Sequence, residues 1–568
     1  MAWPSPPTEP WPTLVRITSV TLDKRLPALG ILIGLLSGAV GVCVGFLVSG
    51  ITGPVGSPVV AVAQMAIDLS PPPVKNFAIR EFGTNDKLVL QIGVLVVLAA
   101  FAAVIGVLAR RRPSDGLVGI AIFAAIGLVA AGTRPTSTAV DLLPALIGSA
   151  AAAITMVALT RAAGPAAQQA AAPGAGPDAA PGAAQPDAAP AEQRADAPGK
   201  AAQPRYAGLS VTEPARRQFM TYSAVAAGAA AVSYFGGRLL SERANVSAAV
   251  RSLHLPAPAT PAPALPGGVD LRIPGLGPFV TSNAAFYRVD TAIVLPQIPP
   301  SSWRLRIHGM VSRELTLTFD QLLRRPLIED YITLACVSNP VGGPYIGNAR
   351  WLGASLRSLL REAGIRAGAD QLYCTSSDGF TSGTPVQTAM DGREALLAIG
   401  MNGQPLPTAH GFPVRTVVPG LYGYVSACKW ITDIEVTTYA ANHAYWTERG
   451  WSQQAPIKTQ SRIDVPSGQG PVKAGPTAIA GVAWAQHKGI DAVEVRVDRG
   501  PWRQAKLAAV PGIDTWRQWS AGWSATPGTH RIEARATDAT GYTQTPLVEP
   551  PEPNGATGYP AMMVTVTR

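Results

Sequence analysis

Thr333 to Trp351 reads TLACVSNPVGGPYIGNARW, and Leu396 to Trp430 reads LLAIGMNGQPLPTAHGFPVRTVVPGLYGYVSACKW. The first segment places one cysteine, Cys336, at the end of an apolar strand-like run, shortly before Asn339, Pro340, Gly342 and Gly343. The second sets His410, Arg415, Ser426 and Lys429 among glycines and prolines. A thiolate at a strand end is a soft metal ligand. Glycine-rich backbone offers N–H groups to an anion, and an arginine fork with a lysine completes a phosphate site. Taken alone, Cys336 is more often a buried structural cysteine. The second segment, in the same domain, is what favours the ligand reading.

Working outward, WRLRIHGMV and LTLTF alternate like strands, while FDQLLRR and LGASLRSLLREAG have helical spacing. Leu271 to Thr438 is therefore expected to be α+β. From Pro471 onward, AIAGVAWA, AVEVRVD, HRIEARATD and AMMVTVT recur between turn residues, which predicts a β-sandwich.

Towards the N-terminus the chain changes character. Over 568 residues, 47% are hydrophobic and only 14% charged, a balance that points to membrane segments. Four apolar runs, Leu26 to Ile51, Leu88 to Ala109, Leu117 to Gly132 and Leu142 to Leu159, approach the ~20 residues that span a bilayer. Buried helices of a soluble bundle are the alternative, which four nearly uncharged runs disfavour. Val55 to Leu69, interrupted by Pro58, reads as an interfacial or re-entrant piece. The Ala/Pro/Gly tract from Gly164 to Pro204 lacks large apolar residues and is expected to be a disordered linker.

In Glu213 to Arg238, EPARRQFMTYSAVAAGAAAVSYFGGR, Arg216 and Arg217 precede a run of small apolar residues. The pattern suits a twin-arginine export signal inside the chain; a fifth span with basic flanks is the plainer reading. With Arg216 and Arg217 on the cytoplasmic side, counting back puts the N-terminus and Arg110 to Arg112 there as well, in keeping with the positive-inside rule. Everything after the fifth run then lies outside the membrane, behind a Pro/Ala stalk, Leu255 to Gly268.

Several classes are disfavoured. The net charge of +10 is scattered, so no nucleic-acid partner is expected. The four cysteines, Cys43, Cys336, Cys374 and Cys428, form no CxxC pair, which argues against zinc, iron–sulfur and disulfide-scaffold readings. All six histidines follow the fifth apolar run and no CxxCH occurs, so no haem is expected. A Cys374–Cys428 disulfide is left open, since spacing cannot decide it.

The two opening segments resemble the sulfite oxidase-like molybdopterin oxidoreductases, and the likeness extends from about Asn283 to the C-terminus. GVAWAQ, GIDAVEVRVDRGPW and DTWRQW resemble the immunoglobulin-like C-terminal domain of that family. The resemblance implies a multi-domain chain: an α-helical membrane region, an α+β molybdopterin domain and an immunoglobulin-like β-sandwich. The expected boundaries are 1–162 for four spans, 163–212 for the linker, 213–240 for the fifth span with its signal, 241–270 for the stalk, 271–465 for the molybdopterin domain and 466–568 for the sandwich.

The resemblance also implies molybdopterin with molybdenum, Cys336 as the metal ligand, and Arg288 with Cys336 at the catalytic centre. Asn283, Tyr287, Arg288, Asp378, His410, Arg415, Ser426, Ala427 and Lys429 are the expected cofactor contacts. On the residues alone, Arg288 equally suits a pair with Asp290, and Asp378 a turn before Gly379. The family's sulfite oxidases follow the cysteine with an asparagine and an arginine pair, whereas Asn339 is followed by Pro340, Val341, Gly342 and Gly343. Their substrate-region tyrosine has Ser382 as its nearest equivalent. Fewer arginines suit a dianion poorly, so an S-oxide, N-oxide or sulfite-like small molecule is expected, with electrons passing through a separate carrier or quinone. A homodimer through the C-terminal domain and an extracytoplasmic catalytic domain on a multi-pass membrane protein complete the expectation. The rival is a metal-free, membrane-anchored binding protein on the same fold.

Overall fold

Helix α1 (Arg25–Thr52) has no charged residue after Arg25, so neither face prefers water. It packs with α2 (Pro58–Leu69), α3 (Asp86–Arg111), α5 (Leu143–Ala162) and α6 (Glu213–Arg243), while α4 (Pro113–Gly132) packs on α2, α3 and α5. The computed structural model describes residues 25–53, 56–71, 74, 77, 81, 86–134, 137–164, 213–243, 245–468 and 470–568. Glycines let the first helices close up. A Cβ at Gly34 would fall 1.9 Å from the Ala102 carbonyl oxygen, and one at Gly106 would fall 2.1 Å from that of Gly30. Small residues at helix crossings allow backbones to touch in this way.

Among the described residues four helical stretches are long and apolar enough to cross a membrane: Pro27–Thr52, Lys87–Arg111, Pro113–Gly132 and Ala139–Ala162. They coincide with the four expected runs. The fifth expected span is helix α6, continuous through Arg216 and Arg217. Its tyrosines, serines and glycines keep it out of that set of four. It nonetheless lies along α1, with the Phe46 and Tyr234 rings stacked at 5.8 Å between centroids. The expected interfacial piece is the twelve-residue α2. The expected linker lies outside the described residues from 165 to 212.

The central unit has ten strands: β1 (Arg304–Gly309), β2 (Leu315–Thr318), β3 (Leu327–Ala335), β4 (Ile346–Ser355), β5 (Gln371–Ser376), β6 (Thr381–Pro385), β7 (Leu396–Met401), β8 (Gln404–Pro405), β9 (Arg415–Val417) and β10 (Ile431–Thr437). One sheet runs β2-β1-β10-β5-β6; the other runs β3-β4-β7-β8, with β9 also on β7. Only the β1–β10 pairing is parallel among these strands. All six residues of β7 are buried, as expected for a strand covered on both faces. In β1, by contrast, only Leu305 and Ile307 point into the core. The helix Leu356–Ala363 starts on a Ser355 side-chain cap and ends at Gly364 with φ 71°, which fits the α+β expectation.

The expected stalk takes a different form. Ala259 and Thr260 hydrogen-bond to Leu327 and Glu329 on β3, and the Val246 amide donates to Gln297. The Pro/Ala tract is thus a strap on the central unit, because residues between its prolines keep free backbone groups that find partners.

Downstream, one sheet runs Gln460–Val465, Gly475–Trp484, Arg517–Ala525 and Lys506–Leu507; a second runs Val472–Lys473, Ala561–Thr567, Gly528–Asp538, Ile490–Val497 and Arg503–Gln504. They share a core containing Ile479, Val493, Trp519, Ile532 and Val564. This unit clamps the central one: the Trp516 amide donates to Thr333 Oγ1 at 2.8 Å, and Gln486 Nε2 donates to the Thr333 carbonyl at 3.0 Å.

Candidate active site

Strand β3 ends at Ala335, and its pairing with β4 closes at Ala335 opposite Ile346. Cys336 therefore begins the connecting loop. Its amide donates to the Tyr345 carbonyl, while Asn339 folds back so that its Oδ1 accepts from the Tyr345 amide at 2.8 Å. A Cβ at Gly343 would fall 2.5 Å from that Oδ1, so only glycine lets the loop close here. The Cys336 thiol is buried, and burial pushes its pKa up. Asn339 Nδ2 is buried too and finds no partner among the described residues. An orphaned buried donor is costly unless something else fills the site.

The second segment faces this loop. Gly411, at φ 110°, would bring a Cβ within 3.0 Å of Arg415 Cβ and 3.2 Å of Lys429 Cβ. Its lack of a side chain lets the two cations approach. Arg415 opens β9 and is 5% exposed. Its Nη1 and Nε donate to the carbonyls of His410 and Thr416 at 3.1 and 3.3 Å, and its guanidinium lies 5.1 Å from the centroid of the Trp351 ring. Among the described residues no carboxylate pairs with it, and burial pulls its pKa down to about 10. Tyr287, stacked on Phe286 at 5.2 Å, lies within electrostatic range of both Arg415 and Cys336. Burial raises its phenol.

One carboxylate organises the other cations. Asp290 accepts from Lys429 Nζ at 2.7 Å, from Arg288 Nε at 2.8 Å and from Lys87 Nζ at 2.6 Å, with its side chain 3% exposed. Burial would raise the Asp290 carboxyl, but Lys429 and its companions more than offset this and hold it well below the usual range. Burial draws Lys429 down to about 8, with Asp290 opposing that shift. Lys429 also lies within electrostatic range of Cys336. Of the two readings open for Arg288, the pair with Asp290 is the one formed.

His410 Nε2 sits 3.0 Å from the Asn283 carbonyl oxygen. A carbonyl can only accept, so Nε2 carries the hydrogen. Burial, reinforced by Arg415, lowers His410 to about 4, and the ring is neutral near pH 7. The Asn283 side chain is taken up by the Met401 carbonyl and the Asn402 amide group, so it positions the segment rather than facing open space. Ser426 Oγ donates to the Leu421 and Tyr422 carbonyls, and the Ala427 amide donates to the Gly423 carbonyl. Both are thus engaged within their own turn. Asp378 Oδ1 accepts from the Phe380 amide at 3.2 Å in an Asx turn, the alternative weighed for it. Its loss of water contact raises its pKa, and it lies within electrostatic range of Asp290 and Lys429.

Ser382 is fully buried and opposite Cys374 in the β5–β6 pair. Cys374 and Cys428 are free, buried thiols. Burial pushes Cys374 to about 12 and Cys428 well above its ordinary value. Sequence reading missed Asp290 as the hub, since a lone aspartate in TSNAAFYRVDT carries no periodic signal. It missed Lys87 because no local pattern links residues 203 positions apart.

The residues fit an anionic, metal-bearing cofactor. Arg415, Lys429, Arg288 and Lys87 outnumber the nearby carboxylates Asp290 and Asp378, and a buried guanidinium without an anion is strongly unfavourable. Among the described residues no cluster of three or more His, Cys, Asp or Glu side chains is arranged to hold a metal. A metal at Cys336 would therefore have most of its ligands from the cofactor itself.

Residues 292–446 match the oxidoreductase molybdopterin binding domain. The chain is 30% identical to chicken sulfite oxidase over 321 residues, covering 48% of this chain and 69% of that one. It is 31% identical to mouse mitochondrial sulfite oxidase over 288 residues, 42% of this chain and 52% of the relative. An uncharacterised oxidoreductase of Bacillus subtilis, YuiH, is 30% identical over 152 residues, 27% of this chain and 73% of YuiH. The crystal structure of the sulfane dehydrogenase SoxCD from Paracoccus pantotrophus aligns with a TM-score of 0.45 at 22% identity, over 51% of this chain and 84% of that one. The chain spans about half the length of the mammalian sulfite oxidases it matches.

Fold and site together define a molybdopterin-binding oxidoreductase domain. The chain belongs to the sulfite oxidase-like molybdopterin oxidoreductases, whose cofactor is molybdopterin with molybdenum.

Two outcomes follow for the cradle. Arg415→Ala and Lys429→Ala should each lower pterin content per protein, because an unpaired buried phosphate costs roughly 2–4 kcal/mol. Undiminished pterin in both variants would exclude the contact. His410 binds its proton only below about pH 4 in the fold but near 6.5 when unfolded. Between those values the unfolded state takes up the proton first, so its contribution to stability is lost as pH falls, by up to roughly 3 kcal/mol. Denaturant unfolding of the wild type and His410→Gln should therefore diverge with pH in that window; parallel profiles would contradict the buried, neutral ring.

Proposed function

We propose that this chain is a membrane-anchored, extracytoplasmic molybdenum oxidoreductase that transfers an oxygen atom to or from a small, weakly charged S-oxide or N-oxide. The observation that carries the reading is the buried Arg415 guanidinium, without a carboxylate partner and grouped with Tyr287, Lys429 and Cys336. When bound, the cofactor supplies the two-electron redox chemistry and the oxygen transfer. Cys336 would hold its metal. Arg415 and Lys429 would hold its phosphate, and His410, fixed by the Asn283 carbonyl, would face the pterin with Nδ1 as an acceptor. Tyr287, neutral and half-buried, would keep water from the Cys336 side. The closed β3–β4 loop and the β9 strand hold these groups in place before cofactor arrives.

The substrate reading follows from charge. Arg288, the cation best placed to meet a substrate anion, is already paired with Asp290, and the loop after Asn339 carries no arginine. A dianion would find little unpaired positive charge there, whereas a neutral oxide needs less. Sulfite is the second reading, favoured by the sequence identity to the sulfite oxidases. The four apolar helices support a multi-pass anchor. Arg110, Arg111, Arg216 and Arg217 support a cytoplasmic face for that end, and the twin-arginine pattern supports export of the folded domain. The shared core of the two C-terminal sheets supports an immunoglobulin-like sandwich, and a homodimer would form through that unit. A separate electron carrier or quinone would complete the cycle.

Cys336→Ser should abolish turnover and alter the molybdenum spectrum while thermal unfolding stays close to wild type. In steady state with artificial electron carriers, wild type should reduce neutral sulfoxides with saturation and oxidise sulfite slowly without saturating at low millimolar concentration. Saturable sulfite oxidation at micromolar concentration, with sulfoxides untouched, would assign the chain sulfite instead. Full activity and an unchanged spectrum in Cys336→Ser would remove the cysteine from the centre.

A further inference from the structure

Three separate segments of the N-terminal helical unit converge on the cofactor cradle. Lys87, in the first turn of α3, donates to Asp290 Oδ1 at 2.6 Å, to the Asp290 carbonyl at 2.9 Å and to the Ala292 carbonyl at 2.7 Å. An ammonium group has three donors, and here each has an oxygen. Asp290 is the same carboxylate that holds Lys429 and Arg288. Near the end of α2, Asp68 accepts from the Tyr445 hydroxyl at 2.7 Å and lies 3.6 Å from Arg449 Nη2; the Arg449 guanidinium stacks 3.6 Å from the Tyr445 ring centroid. Arg134, just past α4, donates to the Val60 carbonyl and lies within electrostatic range of Asp68 and Asp378.

These contacts all lie at one end of the bundle. The other end carries Arg110, whose Nη1 donates to the Gly164 carbonyl. Of the two carboxylates near Lys429, Asp290 thus pairs directly with a lysine of the helical unit, and Asp378 lies within electrostatic range of Arg134. A tether alone would need none of this: a flexible linker holds two units together without a saturated lysine against a buried carboxylate.

We propose that the helical unit is a retaining lid on the cofactor site, docked through Lys87 on Asp290 and Asp68 on Tyr445 and Arg449, so that cofactor is inserted before the two units close and is held while they are closed. The proposal rests on the molybdopterin reading of the cradle. It assigns the apolar helices a role in holding the cofactor as well as in anchoring. It also makes Lys87 a positioning residue: by sharing Asp290 it frees part of the Lys429 charge for the phosphate.

The test uses the full chain in detergent. Wild type, Lys87→Met, Asp68→Arg and the exchange Asp68→Arg with Arg449→Asp are purified. Molybdenum and pterin per protein are followed through a timed gel-filtration and dialysis chase, with thermal unfolding as a control. The lid predicts that Lys87→Met and Asp68→Arg lose pterin about tenfold faster than wild type, and that the exchange restores retention by re-forming the pair. If Lys87→Met does not fold, the Asp68 variant and its exchange still decide the question. Wild-type retention in both single variants overturns the lid and leaves the cofactor reading intact. Wild type purified without molybdenum or pterin overturns the reading beneath it.

Discussion

A guanidinium removed from water needs an anion, and Arg415 has none among the described residues. That single imbalance sets the terms for the site. Asp290 satisfies Lys429, Arg288 and Lys87, yet Arg415 is answered by carbonyl dipoles and the face of Trp351 rather than by an anion. A protein that builds such a cluster without an anion to fill it would be less stable than one that does not. The Cys336 loop, the β9 strand and the glycines that let them approach are best understood as a cradle shaped around a group the polypeptide does not itself contain.

The two sheets of the central unit explain why the cradle is rigid. Cys336 hangs from the end of β3, whose partner β4 is locked in register over nine residue pairs. Arg415 begins β9, which pairs with the wholly buried β7. Lys429 comes just before β10, the centre of the other sheet. The C-terminal unit holds β3 from outside through Thr333, so that a domain remote from the chemistry still fixes the strand that carries Cys336.

Much of this was legible in the sequence because it is local. Four nearly uncharged runs can only be apolar helices, and the alternation in WRLRIHGMV is seen again in the burial of Leu305 and Ile307. Cys336, His410, Arg415 and Lys429 stand in motifs dense enough to be read together. What escaped reading depends on distance along the chain. Asp290 has no periodic or turn signal, and its importance comes from Lys429, Arg288 and Lys87 meeting on it in three dimensions. Leu255 to Gly268 looks like a stalk from composition, yet Ala259 and Thr260 keep amide and carbonyl groups that β3 takes up. Ser426 and Ala427 carry the right residue types for a phosphate cradle, but their hydrogen bonds close their own turn. Ser382 lies in β6, whose five residues are all buried, which a motif cannot tell.

Elemental and pterin analysis of the purified full-length chain tests the central claim most directly. The account predicts stoichiometric molybdenum together with a phosphate-bearing pterin that stays with the folded chain through purification. A stably folded chain that contains neither, and takes up neither when they are supplied during folding, would contradict it and leave the buried cations around Cys336 without their anion.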